Sequence, residues 1–297
     1  MLIDDLPLCG CTELLGIVRI IARKLYGVQQ GFVYNGSMQN EEGNRWFVEM
    51  MRTICREQGV TLRLLSENWL MELRKDGKIA RILGYTFDLN GSVASSIGAD
   101  KVATFELLKS HDMPVIPHHL IRLHEGEERW NRANWQKGVV VKPLTGLGGR
   151  QVRLFHDSVK AQEFMESQLI EAWAASPLMD IVEETRLIML DGTLLLAYAK
   201  QPVTMGGLKV FNLSRGALPA DSEPSEEYIE LAKRTQATIG LRVCAVDIVR
   251  LASGELAVLE VNSGITAQRY LQYNPKSEGR VREMYAQIVR AMFTTTK

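Results

Sequence analysis

The sequence predicts a mixed α/β protein, α+β in its C-terminal two thirds, and three observations carry that expectation. Helical and strand patterns alternate through the first hundred residues. Two apolar runs flank a glycine-containing stretch, "GVVVKPLTGLGGRQVRLF", at residues 138–155. Two more flank Ala252, Ser253 and Gly254 near the C-terminus. A chain of 297 residues, 46% hydrophobic and 24% charged, can bury a substantial core, and that length predicts two domains rather than one.

In chain order, the first element is a helix near residues 12–26. Its apolar stretch carries Arg19, Arg23 and Lys24, which predicts a buried amphipathic helix and not a signal peptide or membrane span. An extended "QGFVYN" follows, then a helix over "NRWFVEMMRTICREQG" closing at Gly59, a strand at "VTLRLL", and strand and turn over "KIARILGYTFDLNGS". This alternation predicts a mainly parallel sheet with helices on its faces. Beyond a boundary near residue 98, Asp100 caps a helix running to about His111, and Pro114 and Pro117 launch an extended segment. Residues 139–155 then read as a hairpin with a long glycine-containing turn. Near the C-terminus, Val281, Met284, Tyr285, Ile288 and Met292 recur at helical spacing, as a stripe facing the core does.

Composition narrows the function classes. Thirty-five Lys and Arg balance thirty-five Asp and Glu with no basic block, which argues against a nucleic-acid partner. Cys9, Cys11, Cys55 and Cys244 fit no common zinc ribbon and predict a reduced, cytoplasmic protein with structural cysteines. His118 and His119 follow a proline in an extended connection and read as structural or surface residues. Trp130 and Trp135, beside Arg129 and Arg132, read as ordinary packing.

The glycine stretch fails two phosphate-loop patterns. Arg150 and Gln151 follow Gly149 where a P-loop needs Lys and Ser or Thr, and Gln151 occupies the third glycine position of a dinucleotide fingerprint. What remains is a flexible flap whose backbone amides can approach a phosphate. Val140 and Lys142 share one strand face, so Lys142 either meets an anion or buries its stem with its head in water; Lys101, opening the preceding helix, weakens the second alternative.

At residues 242–264 a two-residue loop at Ser253 and Gly254 would set Asp247 opposite Glu260, with Asn262 two residues further on the same face. Directly opposed side chains lie roughly 5 Å apart at Cβ, and two carboxylates so close repel unless a cation or shared proton intervenes. Magnesium suits such oxygen ligands. The alternative is a solvated edge hairpin.

The order "ADKVATFELL", "VVVKPLTGLGGRQV", "DIVEE", "FNLSRGA", "AVDIVRLASGELAVLEVNSG" resembles the ATP-grasp superfamily, in particular its RimK-like and glutathione synthetase-like carboxylate-amine ligases, over residues 100–297. The resemblance implies two α/β subdomains clamping ATP: a central subdomain at 99–178 with the glycine flap and a C-terminal one at 179–297 with the magnesium site. A small α/β domain at 1–98 precedes them. It implies phosphate contacts from Lys101 and Lys142, a lid of Gly146, Gly148 and Gly149, and a hinge at Glu183 and Glu184 holding adenine and ribose. Arg186, Lys200, Asn212 and Arg215 are implied on the phosphate and substrate side. Asp247, Glu260 and Asn262 are implied as ligands of Mg2+, with Mn2+ as a substitute. Ala217 replaces a family glycine, and "EVNSGI" departs from the usual Ser-Pro-Gly after the ligands. The implied chemistry is amide formation through an acylphosphate, joining an amino acid to an amine, peptide or carrier-bound acceptor. The implied setting is the cytoplasm, with no membrane partner and with homo-oligomeric assembly left open. A phosphotransferase and a non-catalytic nucleotide-binding regulator are the alternatives. Gly206 and Gly207 in "TMGGLK" are expected to form a mobile loop over the site.

Overall fold

The computed structural model describes residues 41–122, 137–145, 151–168, 170, 172–205 and 208–294. The expected helix at 12–26, the "QGFVYN" segment, Cys9, Cys11, Trp130, Trp135 and the glycines at 146, 148, 149, 206 and 207 lie outside the described residues.

Helix α1 (Glu41–Glu57) buries Phe47, Met51, Ile54 and Cys55 on one side, as their spacing dictates. Gly59, at φ +65°, turns the chain out of it in the left-handed region that glycine tolerates. Strands β1 (Thr61–Leu65), β2 (Leu70–Lys75), β3 (Lys78–Leu83) and β4 (Thr86–Phe87) follow as an antiparallel meander in the order β1-β2-β3-β4. This corrects the expected mainly parallel sheet. Parallel neighbours need a crossover of a dozen or more residues, and here the strands are joined by short turns. One of those turns is Asp76-Gly77, both at positive φ, a hairpin pair in plain view in the sequence.

Helices α2 (Ser92–Ala99) and α3 (Lys101–Ser110) come next. As expected, Asp100 caps α3: its Oδ1 accepts from the amides of Val102 and Ala103 at 2.9 Å each. A second antiparallel sheet contains β5 (His119–Arg122), β6 (Val139–Pro143), β7 (Arg153–Phe155) and, after helix α4 (Ser158–Ser167), β8 (Ala172–Pro177), in the order β5-β8-β6-β7. The expected hairpin is the β6–β7 pair, with Val139 opposite Phe155. Ile121, Val139, Val141, Trp173 and Ala175 pack on Ala161 and Met165 of α4. Lys142 and Ala174, paired across β6 and β8, therefore occupy the other face.

The chain crosses to the third sheet at Leu178–Asp180. Strands β9 (Ile181–Leu190) and β10 (Thr193–Gln201) lead to a small hairpin of β11 (Val203–Met205) and β12 (Leu208–Val210), then to β13 (Leu218–Asp221). Helix α5 (Glu226–Ile239) precedes β14 (Val243–Leu251) and β15 (Leu256–Asn262), and the order is β13-β10-β9-β14-β15, all antiparallel. Helices α6 (Gln268–Tyr273) and α7 (Glu278–Phe293) close the described chain.

Both faces of this sheet are covered. Leu187, Met189, Cys244, Val246 and Ile248 pack against Leu231, Ala232 and Ile239 of α5 and Leu108 of α3. On the other face Ile188, Leu196, Tyr198, Val243 and Ala245 join Phe47 and Ile54 of α1, Leu73 and Ile82 of the meander, and Val281, Tyr285 and Ile288 of α7. The apolar stripe expected on α7 is thus core. Cys55 and Cys244 are buried and unbonded, and burial pushes their thiols up to about 11 and about 12. Among the described residues, no helix is long and apolar enough to cross a membrane.

Candidate active site

Alternation along the strands carries the meander-side face of the third sheet past its apolar patch into a charged one. Beyond Ile188 on β9 the same face bears Arg186 and Glu184; beyond Tyr198 on β10 it bears Lys200; beyond Ala245 on β14, Asp247. Cross-strand pairing brings them together: Lys200 lies opposite Glu184, Arg186 opposite Asp247, and Asp247 opposite Glu260 of β15.

The Asp247–Glu260 opposition is the expected one, but two local departures combine to produce it. The turn is a three-residue loop, Ala252 to Gly254, closed by Leu251 N–H donating to Glu255 O at 2.9 Å, with Gly254 at φ +93°. A bulge between the Asp247 and Ile248 pairs then shifts the register back by one residue.

Asp247, only 2% exposed, is gripped by a planar fork. Arg186 Nε donates to Oδ1 at 2.7 Å and an Nη donates to Oδ2 at 2.6 Å, while Lys200 Nζ stands 3.0 Å from Oδ1. Lys200 also pairs with the buried Glu184. Burial alone would raise the Asp247 carboxyl, but Arg186 and then Lys200 outweigh it and hold the group down to about 2. Burial pushes Glu184 up, opposed chiefly by Lys200. Two cations and two carboxylates thus satisfy one another inside the sheet.

Lys101 and Lys142 are in the opposite condition. They are 9% and 8% exposed, and neither ammonium makes a hydrogen bond or ion pair with any described residue. Burial drives Lys142 down to about 8, with Glu260 and Glu184 opposing and Lys101 reinforcing the shift. With most of its side chain buried and no anion bonded to it among the described residues, the ammonium is available to an anion.

Glu260 is half-buried and likewise has no hydrogen bond or ion pair among the described residues, and Asn262 keeps a buried, unpartnered Nδ2 two residues along the same strand. Among the described residues no group of three His, Cys, Asp or Glu side chains gathers to hold a metal ion; this set is two carboxylates and an amide. Its hard oxygens suit magnesium. Asp247 accepts three of the roughly four hydrogen bonds a carboxylate can take, which leaves Oδ2 one lone pair.

The other expected residues spread further. Asn212 turns its Oδ1 onto the amide of Ser214 at 2.8 Å, capping the short turn Leu213–Arg215. Arg215 reaches from that turn to the carbonyl of Val152, 3.3 Å away, beside the glycine segment. Ala217, in the place of a family glycine, packs its methyl in full burial. Glu183 and Glu184 are adjacent on β9 and so point to opposite faces. Glu184 joins the ion network, Glu183 accepts from Thr185 Oγ1 at 3.0 Å, and the crossing between sheets lies upstream of both, at 178–180. His119 is half-buried with its ring edge-on to Phe105. His118 is 1% exposed, holds the Ile116 carbonyl oxygen 2.9 Å from Nδ1, and leaves Nε2 without a partner. Its sequence context, a histidine after a proline, carries no signal of that environment.

No curated protein matches the sequence. Solved structures do match the fold. D-alanine–D-alanine ligase from Bacillus anthracis superposes with a TM-score of 0.55 at 14% identity over 68% of this chain and 70% of its own. D-cycloserine synthetase DcsG gives 0.51 at 22% identity over 66% and 71%. The ATP-grasp ligase PsnB, complexed with a phosphomimetic variant of its minimal precursor, Mg and ADP, gives 0.50 at 17% identity over 69% of this chain and 62% of its own. A family model for the ATP-grasp domain matches residues 98–268, more than half the chain. Its span takes in Lys101, Lys142, the ion network and the β14–β15 hairpin, and the chain therefore belongs to the ATP-grasp domain family.

Proposed function

We propose that this protein is an ATP-dependent carboxylate-amine ligase that forms an amide through an acylphosphate. The observation that carries the reading is the pair of largely buried lysines, Lys101 and Lys142, whose ammonium groups have no partner among the described residues, beside the carboxylate of Glu260 and the amide of Asn262 on β15. Counted with Arg186 and Lys200 against Glu184, Asp247 and Glu260, the cluster has four cations to three carboxylates, the charge balance of a site for a polyanion. The similarity in fold to D-alanine–D-alanine ligase and to the ATP-grasp ligase PsnB supports it.

In this reading Lys101 and Lys142 hold the phosphate chain of ATP, and the glycines at 146, 148 and 149 cover it. A substrate carboxylate oxygen attacks the γ-phosphorus and the bond to the bridging oxygen breaks, leaving an acylphosphate and ADP. A neutral amine then attacks the acyl carbon and displaces phosphate, which takes the amine proton. Asp247, Glu260 and Asn262 would hold a divalent cation, magnesium or manganese, that neutralises phosphate charge. Arg186 and Lys200, held by Asp247 and Glu184, present fixed positive charge without reorganisation. Arg215 joins the phosphate or acyl side, and Asn212 shapes the turn that carries it. The nucleotide's base and ribose lie toward the sheet crossing, with Glu184, on the face that carries the ion network, the candidate for the sugar. The substrate is an amino acid joined to an amine, peptide or carrier-bound acceptor, and the protein works in the cytoplasm.

The test is an ADP-release screen over amino-acid and amine pairs with mass spectrometry of the products. Stoichiometric ADP, phosphate and amide is the expected outcome. ADP with a phosphorylated product and no amide would make the protein a phosphotransferase, and tight ATP binding without turnover on any pair would make it a regulator.

A further inference from the structure

His118 sits where the link from α3 to β5 runs beside β15. Val258 N–H donates to Pro114 O and Ile116 N–H donates to Val258 O, each at 2.9 Å, and Val115 pairs with Val258 in parallel. The backbone is thus pinned two residues before the imidazole. From His119 it becomes β5, with Leu120 opposite Ala174, and Ala174 is also opposite Lys142. Alternation along the extended chain puts His118, Leu120, Ala174, Ser176 and Lys142 on one face, the face turned away from α4. Ala174 and Ser176, between the imidazole and the ammonium, are small and leave that face shallow.

The protonation pattern of the ring is set by its neighbours. A carbonyl oxygen can only accept, so Nδ1, 2.9 Å from Ile116 O, carries the proton. Burial, and then Lys142 and Lys101, hold the imidazole well below its usual range and keep it neutral. Nε2 is then a lone-pair acceptor, fully buried, with no donor among the described residues, an arrangement that costs free energy unless a ligand supplies the donor.

Under the nucleotide reading of the site, on which this inference rests, phosphates offer only acceptors, so the group that satisfies Nε2 belongs to the sugar or the base. Ile116, the residue whose carbonyl orients His118, belongs to an apolar cluster with Val249 and Ala257, against which Met179, Ile181, Leu251 and Leu259 pack half-buried. Met179 lies in the sheet crossing and Leu259 immediately precedes Glu260. A flat aromatic base fits such a surface better than a ribose does. We propose that His118 is a specificity-determining residue whose Nε2 accepts a hydrogen bond from the exocyclic 6-amino group of adenine. Guanine and hypoxanthine carry an oxygen at that position, and its lone pairs would face the lone pair of Nε2.

The test compares ATP, inosine triphosphate and inorganic tripolyphosphate binding to the full chain by calorimetry. The unaltered protein should prefer ATP to inosine triphosphate. His118→Leu should weaken ATP about tenfold, the equivalent of one hydrogen bond, leave inosine triphosphate unchanged or tighter, and leave tripolyphosphate unchanged. His118→Gln, whose amide oxygen can accept, should recover part of the ATP affinity. Equal losses for both nucleotides, or no loss, overturn the proposal. A readout free of any folding defect is the 15N resonance of His118 Nε2 in the unaltered protein: at saturation it should move further with ATP than with inosine triphosphate, which brings the same charge to Lys142 and Lys101 but no 6-amino donor, and equal movement with both overturns the assignment. If tripolyphosphate and both nucleotides bind alike, His118 alone loses its role; if none of the three binds, the nucleotide reading falls and takes this one with it.

Discussion

Two groups of buried charge lie in this molecule, and they are built on opposite plans. In the third sheet, Glu184, Arg186, Lys200 and Asp247 pair with one another across three strands. On the side of α3 and the second sheet, Lys101 and Lys142 are buried to a similar degree and make no ion pair or hydrogen bond among the described residues, Glu260 and Glu184 acting on Lys142 only from a distance, and His118 leaves Nε2 without a donor there. The first group is complete in the isolated chain; the second is completed only by something that enters. The difference separates side chains that hold the site in shape from side chains that wait for a ligand, and substitutions on the two sides should respond accordingly.

The largest effect belongs to the paired side. Asp247→Asn strands Arg186 and Lys200 inside the sheet without their shared carboxylate, and removing one partner of a buried pair costs about 3–5 kcal/mol. Urea unfolding of the ligand-free protein at pH 7 should show a loss of that size, and a loss under about 1 kcal/mol, the ceiling for an exposed pair, would mean the network is not the closed unit described. Lys142→Met, on the unpaired side, should leave stability equal or higher while ATP affinity drops roughly tenfold to a hundredfold, the range for hydrogen bonds to charged groups. A destabilised Lys142→Met variant would show that the ammonium has a protein partner after all.

The same contrast reads out in pH. The Lys142 ammonium is held at about 8 in the folded protein against 10.5 for an ordinary lysine, so between those values the unfolded chain binds the extra proton and this group makes stability rise with pH. Phosphate binding favours the charged form. ATP binding at a pH of about 9, above the folded value, should therefore take up a proton, and affinity should fall as pH rises through about 8. Calorimetry in buffers of different ionisation enthalpy measures both, and Lys142→Met should abolish the uptake. Asp247 has the same sign in a lower window, as a stabilisation gained where Lys142 shows a penalty relieved. Held at about 2 against 3.8, it contributes stability that is full above 3.8 and is lost as pH falls toward 2.

Glu260→Gln tests the open carboxylate. With no ion pair to break among the described residues, it should shift the melting temperature little and eliminate amide formation, and a stable variant with full activity would remove Glu260 from the mechanism. The smallest effect is at Asp100→Ala, which removes the cap beneath Lys101. It should cost about 1 kcal/mol and weaken ATP a few-fold by loosening the first turn of α3; unchanged affinity would show that Lys101 is positioned by other contacts.

Much of this is readable from the sequence because it is local. The cap at Asp100 comes from a capping side chain, and the β6–β7 and β14–β15 hairpins from turn signals and a two-residue period, all of which act over a short span of chain. The meander escapes because its best signal, Asp76-Gly77, sits inside a larger α/β alternation that points to a different sheet. The bulge in the β14–β15 pair has no signature in "AVLEVN"; the return to the expected register at Asp247 depends on the loop being one residue longer than expected. Arg186 and Asp247 are 61 positions apart, and nothing in either neighbourhood announces that a fork and a carboxylate will meet. His118 reads as structural or surface in sequence because burial is a property of what surrounds a residue.

The sequence by itself determined the periods: which side chains share a face, where helices start, and that two carboxylates and an amide would project from one hairpin. Only the tertiary structure decided which of the buried charges are neutralised and which stay open, because that depends on strands distant in the chain coming within a few ångströms, and Coulomb interactions and desolvation act through space and take no account of sequence separation.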